Sequence, residues 1–353
     1  MKSWMLYGAS GYTGNLIARA AVARGMRPVL AGRDGTKIEP LAAELACDCR
    51  VFPLQAAETA GQLDGMAAVL HCAGPFRATA AQMMDACLAG GVHYLDITGE
   101  IDVIESAADR HERARDAGIA LLPAVGMDVV PSDCLAARLS AVVPRAVTLE
   151  LAFAGMLSVS HGTAATIWEN AGQGGRIRRG GRIVRVGVAW KVQEIPFHRG
   201  PRLAMTIPWG DVASAYHTTG IPNIEVYAAT PPGPLKLLRA FRWLAPLAGW
   251  TPVQAVGRWW IDRRVRGPKE DELQQGRTEF WGRVTDAAGR AAEATLETPN
   301  GYALTVETSL AVLQQVLDDR IAAGFSTPAS ALGGEFIETI PDVVFRWRRD
   351  SPQ

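Results

Sequence analysis

The first thirty-odd residues limit the fold more than anything else in the chain. Trp4 to Tyr7 is a short apolar run, and Gly8-Ala9-Ser10-Gly11-Tyr12-Thr13-Gly14 follows it directly. Leu16, Ile17, Ala20 and Ala21 then recur at helical spacing up to Gly25, and Pro28 to Ala31 reads as a second strand. A strand, glycine turn, helix and second strand in this order form a dinucleotide-binding unit. The glycines provide a tight turn, clearance for a pyrophosphate and close helix–strand packing. The helix start directs free N–H groups and the positive dipole end at phosphate. Here the spacing is G-x-x-G-x-x-G, with the middle glycine displaced from the G-x-G-x-x-G form, so the flanking strands and helix carry the inference. Gly8, Ser10, Gly11, Tyr12, Thr13 and Gly14 are the expected phosphate-binding residues.

The end of the second strand selects the cofactor. An acidic residue there accepts the ribose 2′-hydroxyl of NAD, whereas arginine accommodates a 2′-phosphate. The chain has Gly32 at the acidic position and Arg33 next, with Lys37 one helical turn on. This favours NADP(H). Asp34 is either a ribose acceptor or the cap of the helix that begins near Thr36.

At 353 residues, 48% of them hydrophobic, the chain is long enough for two domains. Lys and Arg balance Asp and Glu at 36 each, so no global field recruits nucleic acid or an anionic membrane. Five scattered cysteines fit a reducing cytoplasm better than a disulfide framework. Cys47 and Cys49 lack a second pair at metal-site spacing, and no metal is expected. With the first strand beginning by about residue 3, no signal peptide is expected.

Strand and helix patterns alternate up to about residue 143, which predicts an α/β Rossmann-type doubly wound parallel sheet. Its later elements are expected at Ile38–Leu45 (helix), Arg50–Leu54 (strand), Ala67–Cys72 (strand), Ala78–Ala89 (helix), His93–Ile97 (strand), Asp102–Ala117 (helix) and Ile119–Pro123 (strand). Residues 144–326 read as an α+β substrate and dimerisation domain with a mostly antiparallel sheet. Strands are expected at Val147–Phe153, Ile183–Trp190, Glu225–Ala229, Glu279–Asp286 and Ala291–Thr298, and a helix at Val306–Ala323. Residues 327–353 are expected to pack back at the domain junction.

Ligands bind a doubly wound sheet beyond the carboxyl ends of its strands. Three loops there are rich in chemistry. Cys72-Ala73-Gly74-Pro75-Phe76 offers small residues for backbone approach to the nicotinamide and an apolar wall, making Ala73, Gly74, Pro75 and Phe76 cofactor candidates. Asp96 ends the fifth strand, either orienting a ligand or bonding loop amides, and Glu100 complements a helix dipole. Asp128 sits in a glycine-flanked loop after the sixth strand as the leading candidate acid, on condition of a raised pKa. In the second domain, Ser158 to Thr163 precedes a helix, and His161 and Tyr216 are further candidate proton donors.

YGASGYTG at 7–14, AGR at 31–33, CAGPF at 72–76, YLDITGE at 94–100, GMDVVPSD at 126–133 and TTGIPNIEVY at 218–227 together resemble the saccharopine dehydrogenase-like family of NADP-binding oxidoreductases. The resemblance is greatest to its trans-acting enoyl reductase branch. It implies NADPH use and hydride transfer to an acyl, polyketide or lipid-like C=C bond. The alternatives are C=N chemistry on an amino-acid-derived substrate, or a non-catalytic NADP-binding scaffold associated with membrane.

Two basic segments remain. Arg176, Arg178, Arg179, Arg182 and Arg185 flank Gly180-Gly181, the pattern of a solvated hairpin, with a phosphopantetheine or carrier-protein contact as the alternative. Leu235 to Val265 is rich in Leu, Trp and Arg and broken by Pro246 and Pro252. It has no apolar span long enough to cross a bilayer. Its candidate roles are an interfacial membrane or carrier-protein contact, a lid over a greasy substrate, or ordinary packing.

Overall fold

The computed structural model describes residues 2–55, 58–155, 160–170, 172, 174–233, 235–236, 250–265, 267 and 270–348. Two compact units emerge, each discontinuous in sequence. One comprises Met1–Asp128 and Leu304–Leu332, the other Val129–Ala303 and Gly333–Gln353. The sequence instead places single boundaries near 143 and 326.

In the first unit the order is β1 (Trp4–Tyr7), α1 (Tyr12–Ala23), β2 (Val29–Gly32), α2 (Gly35–Leu45), β3 (Cys49–Val51), β4 (Ala68–His71), α3 (Phe76–Gly90), β5 (His93–Asp96), α4 (Ile101–Ala108), α5 (His111–Asp116) and β6 (Ala120–Leu122). The short strand Gly324–Phe325 pairs in parallel with β6. The sheet runs Gly324–Phe325, β6, β5, β4, β1, β2, β3, with every pair parallel. This is a doubly wound order, reversing direction between β1 and β4. All four residues of β1 and of β4 are buried, as a sheet covered on both faces requires. Met5, Val69, Met83, Tyr94, Val103 and Leu121 belong to its core.

One expected helix is two. Over Asp102–Ala117 the chain breaks between α4 and α5. Arg110 N–H bonds Ala107 O, tightening the turn, and its guanidinium reaches Ser106 and Asp85. A polar anchor, invisible to periodicity, sets that break.

The second unit contains α6 (Val130–Val142), β7 (Ala146–Ala154), α7 (His161–Asn170), β8 (Gly175–Arg179), β9 (Arg182–Val186), β10 (Val192–Phe197), β11 (Gly200–Thr206), α8 (Asp211–Thr219), β12 (Asn223–Ala229), β13 (Arg277–Asp286) and β14 (Ala291–Pro299). Its sheet runs β10, β11, β12, β7, β13, β14 and Val344–Trp347, with β8 attached to β12 and to β9. Only β12 and β7 pair in parallel. The mostly antiparallel expectation holds. Strands β10 and β11 lack a recognisable strand pattern because prolines face each other in them, Pro196 opposite Pro201. Proline is tolerated there because β10 is an edge strand. The expected strand at Ile183–Trp190 stops at Val186, before Ala189 with φ +48°. Gly282 lets α6 close on β13, since a Cβ there would lie 2.7 Å from Leu139 Cδ1.

The arginine-flanked glycines do turn a hairpin, with Arg179 opposite Arg182. Arg178 is not solvated, however. It is buried, donates to Val212 O and Gly181 O, and stacks 4.0 Å from the Tyr216 ring. The helix expected at Val306–Ala323 spans Gly301–Leu317. Among the described residues no helix is long and apolar enough to cross a membrane.

Glycine spacing in the first turn is steric. A Cβ on Gly14 would lie 2.2 Å from Gly8 O, whereas one on Gly61 meets nothing within 4 Å. Gly14→Ala is therefore expected to cost about 1–3 kcal/mol by overpacking. Gly61→Ala should be near neutral. Thermal melts of the two variants check this contrast.

Candidate functional site

The carboxyl edge of the parallel sheet carries the candidate site. After β1 the chain turns at Gly8, whose φ of +87° and lack of room suit only glycine. A Cβ there would lie 2.7 Å from Ala73 N and 2.8 Å from Cys72 C. Gly8 N and Ala9 N both bond Ala31 O, and Cys72 N bonds Tyr7 O, so β1, β2 and β4 are fastened where the turn begins. Gly11 starts α1 with no side-chain cap and no acidic residue in the first turn. An uncapped helix start over a glycine turn suits a phosphate.

At the end of β2, Gly32 is buried, and a Cβ there would lie 3.0 Å from Ile38 Cδ1. Ile38 thus crowds the first atom of any side chain at this position. Arg33 is exposed and forms no ion pair among the described residues. Asp34 proves to be the helix cap. It accepts from Thr36 N (3.1 Å) and Thr36 Oγ1 (2.6 Å) and pairs with Lys37 at 3.4 Å, and the Thr36 hydrogen bond, followed by Lys37, draws its carboxyl below the usual range. Lys37 is therefore committed to Asp34, leaving Arg33 as the group for a 2′-phosphate. The turn, the uncapped helix and Gly32-Arg33 fit an NADP-type dinucleotide.

The β4 loop lies beside this turn. His71 is fully buried against Tyr7, Phe76 and Tyr94. Burial pushes it down to about 3, so it is neutral. Thr79 Oγ1 donates to Ala73 O (2.8 Å), so His71 Nε2–H donates to Thr79 at 2.9 Å. Through Thr79 this core histidine braces the Ala73–Pro75 loop. Glu100 caps α3, the helix that loop opens, and not the helix it precedes. Its two oxygens accept from Phe76 N (2.9 Å) and Arg77 N (3.1 Å).

Asp96 takes the loop-bonding role. Oδ1 accepts from Thr98 N (2.9 Å) and Ala124 N (2.7 Å), and Oδ2 from the Tyr94 hydroxyl (2.6 Å). Burial lifts its carboxyl to about 6, against these bonds that favour the charge. Ala124, the residue it anchors, holds the left-handed φ of +61°. Non-glycine residues in that region gather where loops are held for function.

Beyond Ala124, Val125 O accepts from Thr308 Oγ1 (2.9 Å) and Met127 N donates to Thr305 Oγ1 (3.0 Å). The helix Gly301–Leu317 thereby fixes the loop that ends at Asp128. Asp128 is only partly exposed, and burial raises its carboxyl to about 7. Its carboxylate nestles against Gly99, where a Cβ would lie 2.8 Å from Oδ2. The structure thus brings together the turn at Gly8–Gly14, Ala73, Asp96 and Asp128 along one sheet edge. Gly99 lies in the YLDITGE motif, whereas Thr305 and Thr308 carry no local sequence signal, because their roles exist only in space.

The candidates of the second unit are placed otherwise. His161 is exposed at the first position of α7. Ser160 caps that helix through Thr163 N (3.2 Å), and its own N–H bonds Tyr302 Oη. Ser158 and Val159 lie outside the described residues. Tyr216 lies under Arg178 beside the hairpin turn. Asp133 is in the first turn of α6 and accepts from Thr218 (2.6 Å), joining two of the sequence motifs structurally.

Residues 4–122 match the saccharopine dehydrogenase NADP binding domain family. This segment is an NADP-binding domain. The trans-acting enoyl reductases of Mycobacterium tuberculosis and Mycobacterium leprae are each 33% identical over 138 residues, covering 36% of this chain and 33% of the relative. The chain thus spans a third of the length of the curated relatives it matches. Saccharopine dehydrogenase (L-Glu forming) from Saccharomyces cerevisiae shares the fold, with a TM-score of 0.66 over 99% of this chain and 100% of that one, at 11% identity.

The raised Asp128 carboxyl has a stability consequence. The fold favours its neutral form, so this contribution is whole below the unfolded value near 4, fades as pH rises and is lost above about 7. Asp128→Asn should raise the melting temperature at pH 8 and have little effect at pH 4. A difference independent of pH would contradict the assignment.

Proposed function

We propose that this chain is an NADPH-dependent reductase that adds hydride to a C=C bond of an acyl, polyketide or lipid-like substrate. The observation that carries the reading is the end of β2: Ile38 fills the space beside Gly32 while Arg33 forms no ion pair among the described residues. The names of the mycobacterial relatives support the choice of bond. They also support a substrate delivered in trans, on a separate protein.

Bound NADPH supplies the hydride. The residues of the chain do the rest. Gly8 to Gly14 and the start of α1 hold the pyrophosphate, and Arg33 holds the 2′-phosphate. Ala73 to Phe76, braced by Thr79 and Glu100, form the wall on which the nicotinamide is positioned. Hydride addition to an enoyl thioester leaves charge that must be quenched by a proton at the α-carbon. Asp128 is the proposed donor, since a carboxyl near 7 is still substantially protonated at neutral pH. His161 and Tyr216 are the alternative donors. Five thiols suit a reducing cytoplasm, which we assign as its compartment.

The test is NADPH oxidation with enoyl thioesters and with imines as acceptors. The reading predicts turnover on the thioester, with kcat falling as pH rises through about 7. Asp128→Asn should lower kcat about 100-fold without weakening NADPH binding. Turnover on imines alone, or an unchanged kcat in the variant, would contradict it.

A further inference from the structure

The helix Thr251–Arg264 stands with its apolar side outward. Its inner side rests on α7. Trp168 Nε1 donates to Gln254 O (3.2 Å), Gln254 Nε2 donates to Trp168 O (3.1 Å), and Arg258 pairs with Glu169. Gly257 makes the close approach feasible, since a Cβ there would lie 2.0 Å from the Trp168 indole. Ile261 is buried on the same side. Positions 254, 257 and 261 define one helical face, so 252, 255, 256, 259 and 263 turn away from it.

That outward face and its flanks are apolar. Trp250 is 63% exposed, Val256 67%, Trp259 57% and Trp260 55%. A surface helix ordinarily buries such a stripe, and three exposed tryptophans within eleven residues are more than scattered surface apolarity. Charge accompanies them. Among the described residues, the helix Thr251–Arg264 carries Arg258, Arg263 and Arg264, the latter two exposed, in a chain whose formal net charge is zero. Arg263 lies 4.1 Å from the centre of the Trp259 ring. Glu270, Asp271 and Glu272 follow on a separate helix, Glu270–Gln275. Residues 237–249, including Pro246, Arg239 and Arg242, lie outside the described residues.

We propose that the Trp250–Arg264 face docks this protein on an anionic lipid surface. Tryptophan side chains favour the headgroup boundary, and flanking arginines meet anionic lipid. Fourteen residues of helix are too short to span a bilayer, so the helix lies in the interface. This inference stands apart from the proposed reaction and makes no use of it.

Co-sedimentation of the full chain with phosphatidylcholine vesicles, with and without about a third phosphatidylglycerol, tests it. Binding should be on the order of tenfold stronger to the anionic vesicles and weaken with salt. Trp259→Ser with Trp260→Ser should abolish it. Arg263→Glu with Arg264→Glu should remove the anionic preference. Circular dichroism of each variant confirms folding, whatever the outcome with nicotinamide cofactors. Absence of binding to either vesicle overturns the proposal, as does equal binding by the serine variant. A lipid-free dimer that the serine pair dissolves would also overturn it, assigning the face to a second copy of the chain.

Discussion

The carboxyl edge of the parallel sheet depends on one close approach, that of the Gly8 backbone to Cys72 and Ala73. With a Cβ position 2.7 Å from Ala73 N, nothing but glycine fits. This contact joins the turn after β1 to the loop after β4, at the point where the sheet order reverses. The other loops are linked onward from there. Glu100 ties the β5 loop to the start of α3, Asp96 ties β5 to the residue after β6, and Gly99 makes room for Asp128. A chain of backbone clearances and buried carboxylates thus positions every candidate residue on that edge.

The same packing sets the protonation states. Burial drives His71 down to about 3 and lifts Asp96 and Asp128 to about 6 and about 7. These act in opposite senses on stability. The neutral His71 contributes fully above its unfolded value near 6.5 and loses that as pH falls toward 3, whereas the two carboxyls lose theirs as pH rises. Between about pH 4 and 6 the histidine offsets only part of what the two carboxyls lose. A carboxyl kept half-protonated near neutrality is costly to the fold and useful to a reaction that needs an acid, which is why Asp128 stands out from the structural acids around it.

Much of this was legible in the sequence, for local reasons. The glycine turn, β1 and the Gly32-Arg33 choice follow from residue types at fixed spacing, and the hairpin at Gly180-Gly181 from turn chemistry. What stayed hidden was set in three dimensions. Asp34 and Asp96 each had two readings, which hydrogen bonds to Thr36 and to Ala124 decide. Glu100 sits in the sequence where it would complement the dipole of the next helix, yet the helix it caps lies 24 residues back in the chain. No local pattern marks Thr305 and Thr308 as holding the loop before Asp128, or Gly324–Phe325 as a two-residue strand that extends the parallel sheet. Prolines masked β10 and β11, since an edge position excuses them.

The first unit is proposed to hold NADPH and to discriminate by Arg33. This is tested most directly by titrating NADPH and NADH into wild type and Arg33→Ala, followed by nicotinamide fluorescence. A marked NADPH preference is expected in the wild type and should largely disappear in the variant, by at least about tenfold for a lost charge-assisted phosphate contact. Equal affinity of the wild type for both nucleotides, or an undiminished preference in Arg33→Ala, would contradict it.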